Sequence, residues 1–197
     1  MDTTFPQLLL KHAAERPGAP AMREKEYGIW QTLTWRELAT MVEHAACGLQ
    51  LAGLQRGEHL AVVGANRPRL YACMLAAQAL GAIPVPLYQD AVAAECVFPL
   101  SNAEVRMCVV EDQEQVDKML EVRGQYPALT HIWYDDPRGL RNYSESGLTG
   151  LTELLDLGRV RAAQDSGFLQ ARVAEGRPDD VGAMFFTSGT TGNPKGV

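Results

Sequence analysis

The sequence predicts an α/β fold built from parallel βαβ units, and three observations carry that expectation. Short apolar runs that read as buried strands alternate with segments of helical period. A glycine- and hydroxyl-rich loop follows the last of these runs, where α/β sheets place their ligands. The third is an ordinary globular composition, 46% hydrophobic and 21% charged over 197 residues. A chain of that length buries enough surface to hold a core without disulfides or metals.

Ala21 to Leu33 reads as a hairpin around Tyr27-Gly28. Thr34-Trp35-Arg36-Glu37 has the form of a capping box. The helix it opens carries Leu38, Met41, Val42, Ala45, Ala46 and Leu49 on one stripe and stops near Gly53. Leu60 to Val63 suits a buried strand ending at Gly64, Arg69 to Leu80 a helix apolar nearly all round, and Ile83 to Leu87 a second strand. Val105 to Val110 is strand-like. Asp112 to Arg123 follows as a helix with a Glu114–Lys118 pair four residues apart. Thr130 to Tyr134 is a further strand, and Asp135 to Gly150 a polar surface loop. Helical segments over Leu151 to Leu157 and Val160 to Glu175 then lead to a last strand, Val181 to Phe186.

Charge and cysteine usage narrow the function classes. With 24 acidic and 18 basic residues the net charge is −6, which argues against a sequence-independent grip on nucleic acid. Cys47, Cys73, Cys96 and Cys108 are too widely spaced for a zinc set and read as small buried residues. Leu8-Leu9-Leu10 is too short for a signal-peptide core, and the apolar stretch Tyr71 to Tyr88 is broken by Gln78, Gly81, Pro84 and Pro86. A cytoplasmic protein is expected. His12, His44, His59 and His131 have no nucleophile at a recognisable spacing and read as structural. The aromatics Trp30, Trp35, Trp133 and Tyr134 read as core or rim packing. The run Glu111-Asp112-Gln113-Glu114 reads as a solvated helix start, and Arg67 and Arg69 are candidates to face a substrate.

The chemistry is concentrated in Thr187-Ser188-Gly189-Thr190-Thr191-Gly192-Asn193-Pro194-Lys195-Gly196. Glycines let successive amides turn inward as an anion nest, hydroxyls add neutral donors, and Lys195 adds one mobile positive charge. Pro194 fixes φ and keeps Asn193 out of the helical region. This is phosphate-binding chemistry. It is not the common P-loop, which needs Gly-Lys-Ser/Thr where this chain has Pro194-Lys195-Gly196.

Thr187 to Gly196 resembles the phosphate-loop signature of the AMP-forming, adenylate-forming superfamily of acyl-CoA synthetases, adenylation domains and luciferases. Further segments are similar to bacterial long-chain acyl-CoA synthetases: Tyr27-Gly28-Ile29-Trp30-Gln31, Leu33 to Leu38, Asn66-Arg67-Pro68, Val85-Pro86-Leu87-Tyr88, Glu111 to Lys118, and Asp135-Asp136-Pro137-Arg138-Gly139-Leu140. The resemblance implies that residues 1–197 are the N-terminal portion of an AMP-binding (adenylation) domain, ending just after its phosphate loop. It implies a two-step ligase: a fatty carboxylate and ATP give acyl-adenylate and diphosphate, and coenzyme A then displaces AMP. Thr187, Ser188, Gly189, Thr190, Thr191, Gly192, Asn193, Pro194 and Lys195 would form the loop that holds the ATP phosphates. Mg2+ would be held mainly by residues outside this chain, with the main catalytic groups beyond Val197. Alone, the chain is expected not to complete the reaction.

The alternatives are a truncated, non-catalytic nucleotide-binding product, and a ligase for an aryl or other carboxylic acid. An acyl substrate accords with peripheral membrane contact, although no amphipathic basic helix argues for it. Two departures from the family pattern stand out: Ala65 before Asn66, and Pro99 inside an expected helix.

Overall fold

The computed structural model describes residues 3–187 and 194–197. A small antiparallel hairpin, β1 (Pro20–Glu26) and β2 (Ile29–Thr34), precedes the main sheet. Its two-residue turn has φ of +47° at Tyr27 and +81° at Gly28, the left-handed pair that tight hairpins require. Thr34 then caps α2 (Trp35–Leu51): its hydroxyl accepts from Glu37 N, and the Glu37 carboxylate accepts from Thr34 N at 2.8 Å.

The main sheet has five strands, β3 (His59–Val63), β4 (Ile83–Leu87), β5 (Met107–Val110), β6 (His131–Tyr134) and β7 (Leu148–Gly150). Their order is β4-β3-β5-β6-β7 and every pairing is parallel. Alternate side chains divide between two cores, as the two-residue period of a strand dictates. Leu60, Val62, Met107, Val109 and Trp133 face one, with α2, α3 (Pro68–Ala79) and α6 (Leu151–Gln164). Ala61, Val63, Cys108, Val110 and Ile132 face the other, with α4 (Ala93–Asn102) and α5 (Gln113–Gln125). The two remaining helices, α1 (Phe5–Glu15) and α7 (Phe168–Ala174), join the first core through Leu9, Phe168, Leu169 and Val173. The fold is therefore three-layered and doubly wound, in agreement with the expected α/β class.

Several elements differ from expectation for identifiable reasons. β7 lies inside the stretch read as loop, because three residues with one buried backbone position carry no periodic signal. α6 runs unbroken through Gly158, and the chain turns only at Asp165-Ser166-Gly167. α4 continues through buried Pro99, at the loss of one backbone hydrogen bond to the Glu95 carbonyl. The Glu114–Lys118 pair does not form: Lys118 Nζ bonds the Gln89 carbonyl and, at 2.8 Å, Gln115 Oε1.

The expected strand over Val181–Phe186 is reduced to β8 (Phe186–Thr187), which pairs antiparallel with β9 (Lys195–Gly196). The cause lies in β4, its neighbour. Pro84 and Pro86 have no N–H to donate, so the passing chain gains one bond, Met184 N to the Pro84 carbonyl at 3.0 Å, and no ladder.

Helices α2 and α6 approach closely through glycines. A Cβ on Gly158 would lie 1.8 Å from the His44 carbonyl oxygen, and one on Gly48 would lie 2.5 Å from that of Leu154. Gly158→Ala is therefore expected to lower unfolding free energy by at least about 2 kcal/mol through overpacking. Gly124→Ala in α5 has no atom within 4 Å of the added carbon. It should raise stability by roughly 0.5–1 kcal/mol through helix propensity. Urea unfolding of both variants checks the pair.

Candidate functional site

The strand order places a topological switch between β3 and β5. From β3 the chain winds outward to β4, then crosses back to β5 on the opposite side. In open α/β sheets, ligands occupy the crevice outside the carboxyl ends of such strands. Here that crevice has a volume of about 580 Å³ and is lined by Glu24, Lys25, Glu26, Tyr27, Arg67, Arg69, Glu111, Asp135, Asp136, Pro137 and Arg138.

Glu111 organises it. Leaving β5, its N–H bonds the Val63 carbonyl at 2.9 Å, while its carboxylate accepts from Ala65 N at 2.5 Å and Arg67 Nε at 2.7 Å. Gly64 admits this approach, since a Cβ there would lie 2.6 Å from Glu111 Cβ. The run Glu111–Glu114 is thus not simply a solvated helix start: Glu111 is largely buried, and Asp112 caps α5 by accepting from Gln115 N. Arg67 also lies 3.7 Å from Glu24 on β1, which ties the hairpin to the sheet edge.

A second set sits one strand further along. Arg69 Nη1 lies 2.8 Å from Asp135 Oδ1, and Nη2 donates to Thr152 Oγ1 at 3.0 Å. Asp135 Oδ1 is buried without a well-aligned donor, so it meets Arg69 as an ion pair rather than a directed hydrogen bond. Burial pushes the Asp135 carboxyl above the ordinary carboxylate range, against the pull of Arg69. Hydrogen bonds from Arg138 hold Asp136 below that range. Arg67 and Arg69 do line the crevice, but both arrive already paired.

Ser188, Gly189, Thr190, Thr191, Gly192 and Asn193 of the phosphate-loop assignment lie outside the described residues. Its flanks are described. Gly182 accepts from the side chain of Gln78 in the last turn of α3, near Gly81 and Ala82 just before β4, and Met184 N bonds the Pro84 carbonyl on β4. The segment therefore runs in the direction of β4 and delivers Thr187 to the carboxyl edge of the sheet. Thr187 is the direct cross-strand partner of Lys195, and the pairing continues through Phe186↔Gly196 and mutual backbone bonds between Phe185 and Val197. Directly opposed residues share a face of an antiparallel pair. The hydroxyl and the ammonium thus stand together at the base of the loop, both exposed, with Pro194 leading into the second strand.

A match to the AMP-binding enzyme family model extends over residues 9–197. The chain belongs to that family. Among its relatives, the long-chain-fatty-acid–CoA ligase FadD15 of Mycobacterium tuberculosis is 29% identical over 189 residues, 96% of this chain and 30% of that protein. The long-chain-fatty-acid–CoA ligase ACSBG1 of Bos taurus is 27% identical over 178 residues, 90% of this chain and 24% of that protein. The chain spans about a third or less of the length of these relatives. Among solved structures, the anthranilate CoA ligase AuaEII with anthranoyl-AMP superposes with TM-score 0.73 at 18% identity, over 98% of this chain and 33% of that one. Acetoacetyl-CoA synthetase from Streptomyces lividans gives 0.74 at 20% identity, over 98% and 30%. At these identities the structural likeness speaks for the fold.

None of the four cysteines or four histidines lines the crevice. All four cysteines are buried; burial pushes the Cys47 thiol up to about 11 and Cys73 up to about 12. His12 packs against Trp35 and His131 against Trp133, while burial lowers the pKa of His44 and His59. Among the described residues no three His, Cys, Asp or Glu side chains converge to hold a metal ion. Sequence reasoning missed Glu111 and Asp135 as crevice residues. Their signal was positional, since each directly follows a strand on either side of the switch or beside it.

Glu111→Gln is expected to lower unfolding free energy by roughly 1–3 kcal/mol, because a buried charge-assisted acceptor of two donors is weakened. Amide exchange at Ala65 should accelerate. Asp156→Asn breaks only the exposed Arg159 pair and should stay within about 0.5 kcal/mol of wild type. Denaturant titration with amide hydrogen exchange reads both.

Proposed function

We propose that residues 1–197 are the N-terminal portion of the AMP-binding domain of an ATP-dependent long-chain-fatty-acid–CoA ligase, and that Thr187–Lys195 holds the phosphates of ATP. The observation that carries this reading is the cross-strand placement of Thr187 and Lys195 at the mouth of a Gly/Thr loop, in a chain of the AMP-binding family whose curated relatives are long-chain-fatty-acid–CoA ligases. The reaction would proceed through an acyl-adenylate, with coenzyme A as the second acceptor, and the protein would act in the cytoplasm.

The geometry suits the first half-reaction. When ATP leaves diphosphate, negative charge accumulates on the departing oxygens, and donors already fixed around them lower the barrier. The antiparallel pairing holds Thr187 and Lys195 side by side before any ligand arrives. Lys195 supplies the mobile positive charge, and Pro194 restricts the backbone that leads into it. Mg2+ would offset phosphate charge when bound. Its ligands are assigned to other parts of the longer protein.

The test is fatty-acid-dependent ATP–diphosphate exchange by the ligase that contains this segment, comparing wild type with Lys195→Ala and Lys195→Arg. Loss of one charge-assisted donor to a developing anion should slow exchange by roughly 10- to 100-fold in the alanine variant, with partial recovery in the arginine variant. Exchange at the wild-type rate in Lys195→Ala would overturn the assignment.

A further inference from the structure

Two backbone positions of β4 face its free edge, and both are prolines. Ile83 N bonds the Glu58 carbonyl, so Ile83, Val85 and Leu87 turn their amides toward β3. Pro84 turns its carbonyl outward to Met184 N, and Pro86, two residues on, faces the same way. The segment that leads to Thr187 therefore meets an edge without donors, and its seating falls to side chains. Met184 and Phe186 both pack against the second core. Phe186 stands directly opposite Gly196, and Thr187 opposite Lys195. Opposed residues share a face and successive residues alternate, so Phe186 and Gly196 turn to the core and Thr187 and Lys195 away from it. Gly196 adds no side chain to the inward face, and Met184 takes that space. A Cβ on Gly196 would lie 2.9 Å from Met184 Cε, 3.7 Å from its Cγ and 3.6 Å from Phe186 Cε1. An unbranched thioether is suited to lie across a glycine in this way.

We propose that Met184 and Gly196 are positioning residues for Lys195: the methionine side chain laid across the glycine sets where β9, and with it the ammonium, stands relative to the sheet edge. The proposal rests on the reading of Thr187–Lys195 as the loop that holds the phosphates of ATP, and it adds two residues outside that stretch. Neither is assigned a ligand contact; both act through Lys195. Met184 suits the part because it reaches three neighbours, the Pro84 carbonyl through its backbone and the second core and Gly196 through its side chain. A misplacement of about 1 Å at a catalytic group can slow a reaction by roughly 100-fold. Removing the methionine side chain leaves a gap into which β9 can settle. A side chain added at 196 pushes the strand the other way unless Met184 gives. The methionine methyl yields readily to one added carbon, so the test at 196 uses valine rather than alanine.

The experiment is fatty-acid-dependent ATP–diphosphate exchange by the ligase that contains this segment. It compares Met184→Ala, Met184→Leu, Gly196→Val and the pair Met184→Ala/Gly196→Val. Met184→Ala and Gly196→Val should each slow exchange by roughly 5- to 30-fold. Met184→Leu, of similar volume, should recover most of the rate lost in the alanine variant. The pair moves volume from one strand to the other and should exchange faster than either single variant. In a Lys195→Ala background, Met184→Ala should slow exchange by no more than about twofold further, because the charge it positions is gone. A merely structural loss would instead multiply with the loss at 195.

Single variants at the parental rate, losses at 184 and 196 that simply multiply, or a full further loss from Met184→Ala in the Lys195→Ala background would overturn the proposal and leave the loop assignment standing. Exchange at the parental rate in Lys195→Ala alone would overturn both.

Discussion

The carboxylate of Glu111 holds together what the rest of this molecule depends on. It stands where two arms of the sheet part, between the ends of β3 and β5, and binds the amide of Ala65, two residues beyond β3, together with the guanidinium of Arg67. Arg67 in turn meets Glu24 on the hairpin. A single largely buried acid therefore joins the sheet edge, the start of α3 and the hairpin. Such a group is expensive to desolvate and is tolerated because its donors are already in place. The same arrangement leaves a charged crevice, since opposite charges that neutralise one another must still be spaced by the strands that carry them.

The opposite side of the sheet edge shows how an edge strand can shape the segment that passes it. β4 carries Pro84 and Pro86, which offer no donors outward. The following chain can lie alongside β4 but cannot continue the sheet, and it turns back on itself as the β8–β9 clamp. Had β4 offered a full row of amides, residues 181–186 could have extended the ladder, and Thr187 would have been one more strand residue. The prolines that keep the edge from pairing thus leave the Gly/Thr loop on a hairpin of its own, with Thr187 and Lys195 on one face.

Much of the fold was legible in the sequence because buried parallel strands read as unbroken apolar runs. Leu60–Val63, Ile83–Leu87 and Met107–Val110 are examples, and the capping box at Thr34 marked its helix directly. What escaped was set by contacts distant in sequence. Gly158 reads as a break, yet it is the point of closest approach to His44 on α2. Val181–Phe186 has a strand's composition, and only its neighbour's prolines deny it a ladder. β7 is three residues whose pairing with β6 comes from the sheet rather than from local pattern. The Gly/Thr-rich stretch after Phe186 stands out in the sequence because its residues are contiguous. The crevice residues Glu111 and Asp135 were not, because their meaning comes from which strands end beside one another.

If this chain carries the phosphate-holding part of an AMP-forming ligase, the nucleotide products reveal it. The most direct measurement follows those products when the ligase containing this segment is given a long-chain fatty acid, coenzyme A and α-labelled ATP. AMP and diphosphate are expected in step with acyl-CoA, and none without the acid. Release of ADP and orthophosphate, or acid-independent turnover, would contradict the ligase reading.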